Sequence, residues 1–200
     1  MIKSLSIKIS QHLGERNSSL TKKDILKIQY VLEVIFGDLS KLLIIFLIFL
    51  KFHELKLFFL IYIILLTTRS FLGGLHCKTF NSCLIWSTLY FVTVLLFSNL
   101  VPYLKNNFYI SSFVLFFIIA LVYAPCPNEK RPMQNDKILK TLSLISISFW
   151  GILFFKSNNI QICNCIFISL FVQISQVIFI NLKGVVFNGK IYKHFFSHIT

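Results

Sequence analysis

The feature that most constrains this chain is a series of long apolar segments separated by short polar ones. A helix needs roughly 20 apolar residues to cross the hydrocarbon core of a bilayer. Six segments approach or meet this length, and they comprise residues 37–50, 55–68, 82–102, 108–123, 139–155 and 160–182. The sequence therefore predicts an all-α, polytopic transmembrane protein of about six spans. The first two spans are the shortest, although the first extends back to Val31.

Composition supports lipid as the solvent for most of the chain. Hydrophobic residues make up 56% of the 200 residues and charged residues only 14%, whereas about a quarter of the residues are charged in ordinary soluble domains. A water-soluble fold of this size cannot hide so much apolar surface. We expect residues 1–200 to form one membrane-embedded domain without a separate soluble part.

The strong basic charge fits a membrane surface better than a nucleic acid. The formal net charge is +13, from 20 Lys and Arg against 7 Asp and Glu. The basic residues lie between the apolar segments, where they contact anionic headgroups. Most of the 23 Phe belong to the apolar segments and are not interleaved with basic residues. We therefore predict an anionic lipid membrane as a partner and no nucleic acid.

The distribution of Lys and Arg predicts the orientation of the spans. If the N-terminus lies inside, sixteen of these residues fall in inner segments, and four fall in outer loops: Lys51, Lys56, Lys105 and Lys156. Inner loops carry the excess of basic residues in membrane proteins. The bias predicts that both termini lie inside (N-in, C-in), with the catalytic region described next facing the cytoplasm.

Residues 69–83 form the densest polar cluster next to an apolar segment. Because polar residues are costly at membrane depth, such a cluster indicates a functional site. His76 and Cys83 lie seven residues apart, so a helix through both would place them on one face. Gly73 and Gly74 permit a tight turn or the close approach of a peptide substrate.

A Cys–His pair can perform nucleophilic catalysis. A free thiol has a pKa of about 8.5, so it needs a base to become a strong nucleophile at neutral pH. His76 can accept the proton, and Arg69 or Lys78 can stabilise the thiolate electrostatically. The thiolate attacks a carbonyl, and His76 then returns the proton to the leaving amine. This chemistry requires no cofactor and no metal.

Two alternatives remain open from the residues alone. Cys77 is a competing nucleophile, although sequence neighbours point apart on a helix, and it is otherwise a small buried thiol. A zinc site could be assembled from His76, Cys77, Cys83 and Cys126, but their spacing matches no usual ligand pattern.

A second polar segment, residues 124–138, contains three of the four prolines and is predicted to be a non-helical cytoplasmic loop. It can flank the catalytic region and present Lys130 and Arg131 to an acidic peptide, or it is an ordinary basic inner loop. The basic segment 1–30 is either an amphipathic surface helix, with Leu5 and Leu13 on its apolar side, or a plain tail.

Polar residues of the last apolar segment have a simpler interpretation. We expect Asn164, Gln173 and Gln176 to make hydrogen bonds between helices. Cys163 and Cys165 are expected to be small residues that pack against neighbouring helices or lipid.

At the residues of the polar cluster the sequence resembles the accessory gene regulator protein B (AgrB) family of bacterial membrane peptidases. The shared pattern is an Arg, a Gly before a His, and a Cys seven residues after that His. In this chain it consists of Arg69, Gly74, His76 and Cys83, followed by the Ala-Pro loop with its basic residues.

The resemblance implies a thiol protease of the bacterial cell membrane that processes quorum-sensing pro-peptides through a His76–Cys83 dyad. Its substrate would be a short pro-peptide with a central cysteine-bearing segment and an acidic C-terminal tail. Cys83 would form a thioester with the peptide, and a thiol or hydroxyl of the peptide would then close a thiolactone or lactone ring. Substrate contacts would come from Arg69, Gly73, Gly74, Lys78, Lys130 and Arg131. A homodimer is a further implication.

Two other functions remain as alternatives. A non-catalytic peptide transporter would show paired, interrupted spans in two related halves, which this sequence lacks. A membrane scaffold without chemistry would tolerate the loss of Cys83.

Overall fold

The computed structural model describes residues 2–17, 19–74, 79–126 and 135–187, with side chains up to residue 182. Within these residues the chain is helical, without strands, and has seven helices. They are α1 (Ile2–Arg16), α2 (Lys22–Lys51), α3 (Leu55–Leu72), α4 (Phe80–Leu100), α5 (Asn106–Tyr123), α6 (Asp136–Lys156) and α7 (Ile160–Phe187). The predicted all-α fold class is confirmed.

Five helices in the described part of the chain, α3 to α7, are long and apolar enough to cross a membrane. Each corresponds to one of the predicted segments from 55–68 onward, although α4 ends at Leu100, whereas the predicted segment ends at residue 102. The remaining predicted span lies in α2, which carries Glu33, Asp38 and Lys41 beside its apolar stretch and does not meet the same criterion. A crossing by α2 and the N-in, C-in orientation therefore stay predictions.

Helix α7 lies at the centre of the bundle and packs against α3, α4, α5 and α6. Aromatic side chains fill the spaces between helices. Phe49 of α2 contacts Phe58 of α3 and Phe91 of α4, with ring centroids 5.6 and 6.0 Å away. Tyr109 of α5 lies 4.7 Å from Phe154 of α6. This packing accounts for the many Phe residues, because close contact between side chains holds helices together in lipid.

Polar side chains join the helices at one end of the bundle, called the far end here. The amide of Gln161 at the start of α7 donates hydrogen bonds to Glu54 before α3 and to Asn99 near the end of α4, at 3.2 and 2.6 Å. Asn164 donates to the carbonyl of Val101 at 2.6 Å. The interhelical hydrogen bond predicted for Asn164 is confirmed.

The N-terminal segment contains a helix, α1, that packs against α2. Its buried face is formed by Ser6 and Ser10, whereas Leu5 and Leu13 are exposed. Of the two alternatives for this segment, the structure has the helix, and its apolar residues Ile2, Ile7 and Ile9 are half-buried. Small side chains let two helix backbones approach closely, and this explains why serines occupy the contact.

Candidate functional site

Cys83 lies in the first turn of α4 and is partly exposed. Thr79 is the N-cap of this helix: its backbone is extended, with φ −119° and ψ 152°, and its side chain accepts a hydrogen bond from the amide of Ser82 at 3.3 Å. Such a cap begins a helix. The expectation that one helix runs through residues 76–83 is therefore wrong, because Thr79 interrupts it. His76, Cys77 and Lys78 lie outside the described residues.

The residue that follows α3, Gly73, has a backbone conformation that disfavours any side chain. Gly73 has φ +89° and ψ −174°, a conformation that is almost restricted to glycine. A Cβ at this position would lie 2.8 Å from the Cβ of Cys126. The positive φ of Gly73 agrees with a tight turn, one of the two roles considered for the glycine pair, immediately before the segment that leads to His76.

Hydrogen bonds from two other elements hold this turn. The amide of Cys126 donates to the carbonyl of Leu72 at 2.9 Å. The side-chain Nε2 of Gln173, on α7, donates to the carbonyl of Gly73 at 2.7 Å. The interhelical hydrogen bond predicted for Gln173 is confirmed, and it positions the backbone next to the candidate site.

Arg69 and Gly74 lie together at the same end of the bundle. A Cβ on Gly74 would be 3.1 Å from Arg69 Nε. Arg69 and Cys83 also line one pocket between α3, α4 and α7, whose other lining residues are Leu65, Trp86, Ser87, Tyr90 and Gln176. The structure thus brings together four residues of the predicted site: Arg69, Gly73, Gly74 and Cys83. Lys130 and Arg131 fall outside the described residues.

A charged residue of α2, Lys41, contacts the thiol directly. Its Nζ donates a hydrogen bond to Cys83 Sγ at 3.3 Å and pairs with Asp38 Oδ1 at 2.5 Å. The ammonium also lies 5.9 Å from the centroid of the Phe80 ring, within the range of a cation–π contact.

The beginning of the proline-containing loop, residues 124–126, packs against the turn at Gly73. Cys126 is buried, and Asn181 of α7 approaches its sulfur at 3.7 Å. Burial raises the pKa of the Cys126 thiol to about 11, so this thiol is protonated at neutral pH and a poor nucleophile. Cys163 and Cys165 are buried in α7, which agrees with packing against neighbouring helices, one of the two environments predicted for them.

Within the described residues, no group of three or more His, Cys, Asp and Glu side chains lies close enough to hold a metal ion. Two members of the alternative zinc set, His76 and Cys77, lie outside that part of the chain, so the alternative is not tested.

Sequence reasoning missed the role of Lys41, which it treated only as one more basic residue of an inner segment. A signal was present, since Asp38 and Lys41 stand three residues apart in an apolar stretch. Ionisable residues inside an apolar segment are rare and commonly mark functional positions. The contact of Lys41 with Cys83 depends on packing between α2 and α4, which no local pattern reveals.

A bundle of membrane-length helices, with a partly exposed cysteine beside a cation and a glycine turn at one end, defines a polytopic membrane protein with a candidate thiol site. Comparison with known proteins identifies its relatives. The family described as accessory gene regulator B (AgrB) matches residues 6–180.

Individual relatives agree with this match. An AgrB-like protein of Clostridium beijerinckii is 56% identical over 200 residues, which cover 100% of both chains. An AgrB-like protein of Clostridium acetobutylicum is 28% identical over 199 residues, covering 96% of this chain and 90% of the relative. Accessory gene regulator protein B of Staphylococcus carnosus is 30% identical over 152 residues, covering 76% and 78%. No solved structure is significantly similar to the chain.

The chain belongs to the accessory gene regulator B family. Membership confirms the resemblance found in the sequence and implies a membrane protease-like protein that acts in the processing of quorum-sensing peptides. The membrane-length helices agree with the location that this role requires.

Proposed function

We propose that this protein is a membrane cysteine endopeptidase that removes the acidic C-terminal tail of a quorum-sensing pro-peptide and promotes closure of its ring. The observation that carries the proposal is the position of Cys83. Its thiol is partly exposed in the first turn of α4, contacts Lys41, and lines a pocket together with Arg69. Helix N-termini and neighbouring cations favour the thiolate, which is the reactive form of cysteine.

The reaction has two steps. The Cys83 thiolate attacks the carbonyl carbon before the tail, the C–N bond breaks, and His76 gives its proton to the leaving amine. The peptide remains attached to Cys83 through a thioester. A thiol of the peptide then attacks the thioester carbonyl, loses its proton to His76, and displaces Cys83 as a thiolate. Because one thioester replaces another, exclusion of water from the site favours ring closure over hydrolysis.

Charge complementarity supports the proposed substrate. The described site has Arg69 beside Gly74, and the sequence places Lys78, Lys130 and Arg131 in segments adjoining it. An acidic tail is attracted to such a cluster. In this proposal the catalytic region faces the cytoplasm, where a newly synthesised peptide is available.

The decisive experiment coexpresses the protein with its cognate tagged pro-peptide and follows tail release by mass. We expect Cys83→Ser and His76→Ala to abolish release, while Cys77→Ser and Cys126→Ser retain it. Cys126→Ser is the matched control, because it removes a second thiol at the same end of the bundle. This thiol is buried, and burial makes it a poor nucleophile. Release that survives Cys83→Ser but not Cys77→Ser would assign the nucleophile to Cys77. Tail release by every variant would refute the cysteine mechanism.

A further inference from the structure

The side chain of Lys41 is largely buried, whereas its ion-pair partner, Asp38, is exposed. The side chain of Lys41 is 13% exposed, whereas that of Asp38 is 61% exposed. Lysine is among the residues least often buried, and a charge next to an apolar span is costly unless it is paired. An ion pair between residues three apart on one helix can form entirely at the surface. The inward direction of Lys41 therefore requires a reason other than Asp38.

The contacts of the ammonium supply that reason. A lysine ammonium has three N–H donors and no acceptor. One donor meets Asp38 Oδ1, and another meets Cys83 Sγ at 3.3 Å. The ring of Phe80 lies 5.9 Å away on α4. Two of these three groups thus belong to the first turn of α4, on a different helix from Lys41.

Packing between α2 and α4 keeps the ammonium at the sulfur. Gly37 is buried one turn before Lys41, and a Cβ added there would meet the Phe80 ring at 3.6 Å. Phe80 therefore rests on α2 at Gly37 and lies near Lys41 as well. This contact fixes the start of α4, and with it Cys83, against the charged face of α2.

We propose that Lys41 is a catalytic group that holds Cys83 as a thiolate before the peptide arrives, and that Asp38 positions the Lys41 ammonium. This inference rests on the proposed function, in which Cys83 is the nucleophile. The Cys83 proton leaves to His76, which later gives it to the leaving amine, and Lys41 stays protonated throughout. The ammonium stabilises the thiolate that attacks and the same thiolate when the closed ring departs.

Other charged and titratable groups facing Cys83 define what the test must separate. Helix α2 contributes Lys41 and Asp38, α3 contributes Arg69 across the pocket, and α4 contributes Tyr90. The pocket residue from α7 is the uncharged Gln176. Because Arg69 is also cationic, the experiment must change Lys41 alone and leave Arg69 in place.

The test measures alkylation of Cys83 in the full-length protein without any substrate. Short pulses of iodoacetamide are applied over a range of pH, and the modified Cys83 peptide is quantified by mass spectrometry. We expect Lys41→Met to slow alkylation at neutral pH by about tenfold, because the positive charge beside the sulfur is lost; a tenfold change in rate corresponds to about 1.4 kcal/mol. The alkylation rates of the wild type and Lys41→Met should converge in alkaline solution, where the thiol ionises without the neighbouring ammonium. Lys41→Arg should restore most of the neutral rate.

Two further measurements make the outcome unambiguous. Asp38→Asn removes the carboxylate that positions the ammonium but keeps the ammonium itself, so its neutral rate should lie between those of the wild type and Lys41→Met. A rate equal to that of Lys41→Met would indicate a role limited to the ion pair and would overturn the proposal, and a wild-type rate would overturn the positioning role of Asp38. Slow alkylation of buried Cys126 in the same samples reports that the fold is intact. If Lys41→Met fails this check, Lys41→Gln takes its place, because it also removes the ammonium.

The proposal is overturned if the pH profile of Lys41→Met equals that of the wild type. It is also overturned if the rate falls by the same factor at every pH, which would indicate altered access. Because no peptide is cleaved in this assay, failure of the proposed function would appear separately, as tail release that survives Cys83→Ser.

Discussion

Gly73 is the residue of the site whose backbone is most tightly specified. Its φ of +89° with an extended ψ is accessible to glycine alone at low cost, and its Cα faces the Cys126 side chain. We expect Gly73→Ala to lower the free energy of unfolding by about 1–3 kcal/mol from backbone strain alone. Displacement of the segment leading to His76 should also reduce tail release. Thermal unfolding in detergent and the tail-release assay measure the two effects.

Gly37→Ala is the matched control for this prediction. Gly37 lies within α2, and a Cβ there would meet the Phe80 ring at an ordinary contact distance of 3.6 Å. Alanine is the better helix former, so we expect unchanged or slightly higher stability. Equal losses in the two variants would show that the φ of Gly73 is not the cause.

At the scale of single residues, the sequence predicted the residue types of the site better than their arrangement in space. The turn at Gly73 was predictable, because a glycine pair after an apolar segment indicates an unusual backbone. The hydrogen bond from Lys41 to Cys83 joins residues 42 positions apart, and the one from Gln173 to Gly73 joins residues 100 apart. Such contacts depend on how helices pack, and no local pattern encodes them.

At the scale of secondary-structure elements, the membrane-length helices were predictable, but the start of α4 was not. Helices α3 to α7 follow from apolar length, since the backbone polar groups of a lipid-embedded segment must be satisfied within the segment itself. The start of α4 follows from a different property, the side chain of Thr79, which caps the helix. The seven-residue spacing of His76 and Cys83 matched a helical period but crosses this cap.

The N-terminus of α2 allows a prediction about a single element. Thr21 and Asp24 form a capping box, in which Thr21 accepts a hydrogen bond from the amide of Asp24 at 3.3 Å, and the Asp24 carboxylate accepts one from the amide of Thr21 at 3.2 Å. We expect Thr21→Ala to speed amide exchange in the first turn of α2 about fivefold, the effect of losing a typical cap. Ser19→Ala, just outside the box, should leave this exchange unchanged.

The same box predicts a dependence on pH with a definite sign. Hydrogen bonds from the Thr21 hydroxyl and amide lower the pKa of Asp24 below its ordinary value of 3.8. A carboxyl whose pKa is lower in the folded chain stabilises the fold above its ordinary pKa, and that stabilisation is lost as pH falls through the lowered value. The difference in exchange between wild type and Thr21→Ala should therefore persist at neutral pH and shrink below pH 3.8. A difference that grows on acidification would contradict the capping box.

For the whole molecule, the structure places the basic residues assigned to outer loops at one end of the bundle and the candidate site at the other. The far end is bounded by the four basic residues assigned to outer loops, Lys51, Lys56, Lys105 and Lys156. The opposite end holds Cys83, Arg69 and the start of α6 with Lys137 and Lys140. The four residues thus share one end of the bundle, as their assignment to outer loops requires, and the orientation of the whole bundle in the membrane stays a prediction.

Helix α2 decides whether the termini share a side of the membrane. Its 30 residues span about 45 Å at the usual helical rise, more than the roughly 30 Å of a hydrocarbon core. Lys41 contacts Cys83, and Phe49 packs between Phe58 and Phe91 on the way to the far end. The C-terminal part of α2 therefore runs beside α4 from the level of Cys83 to the level of Phe91, toward the far end, and its complete crossing stays a prediction.

Thiol labelling tests this prediction in cells. In a chain whose own cysteines are replaced by serine, Lys105→Cys should react with a membrane-impermeant maleimide in intact cells. Ser4→Cys, on the exposed side of α1, and Asp136→Cys, at the start of α6, should react only after permeabilisation. If Ser4→Cys and Lys105→Cys both react in intact cells and Asp136→Cys does not, α2 fails to cross and the protein has five spans. If Asp136→Cys reacts in intact cells while Lys105→Cys is protected, the bundle is inverted, and the thiol site faces away from newly synthesised peptide.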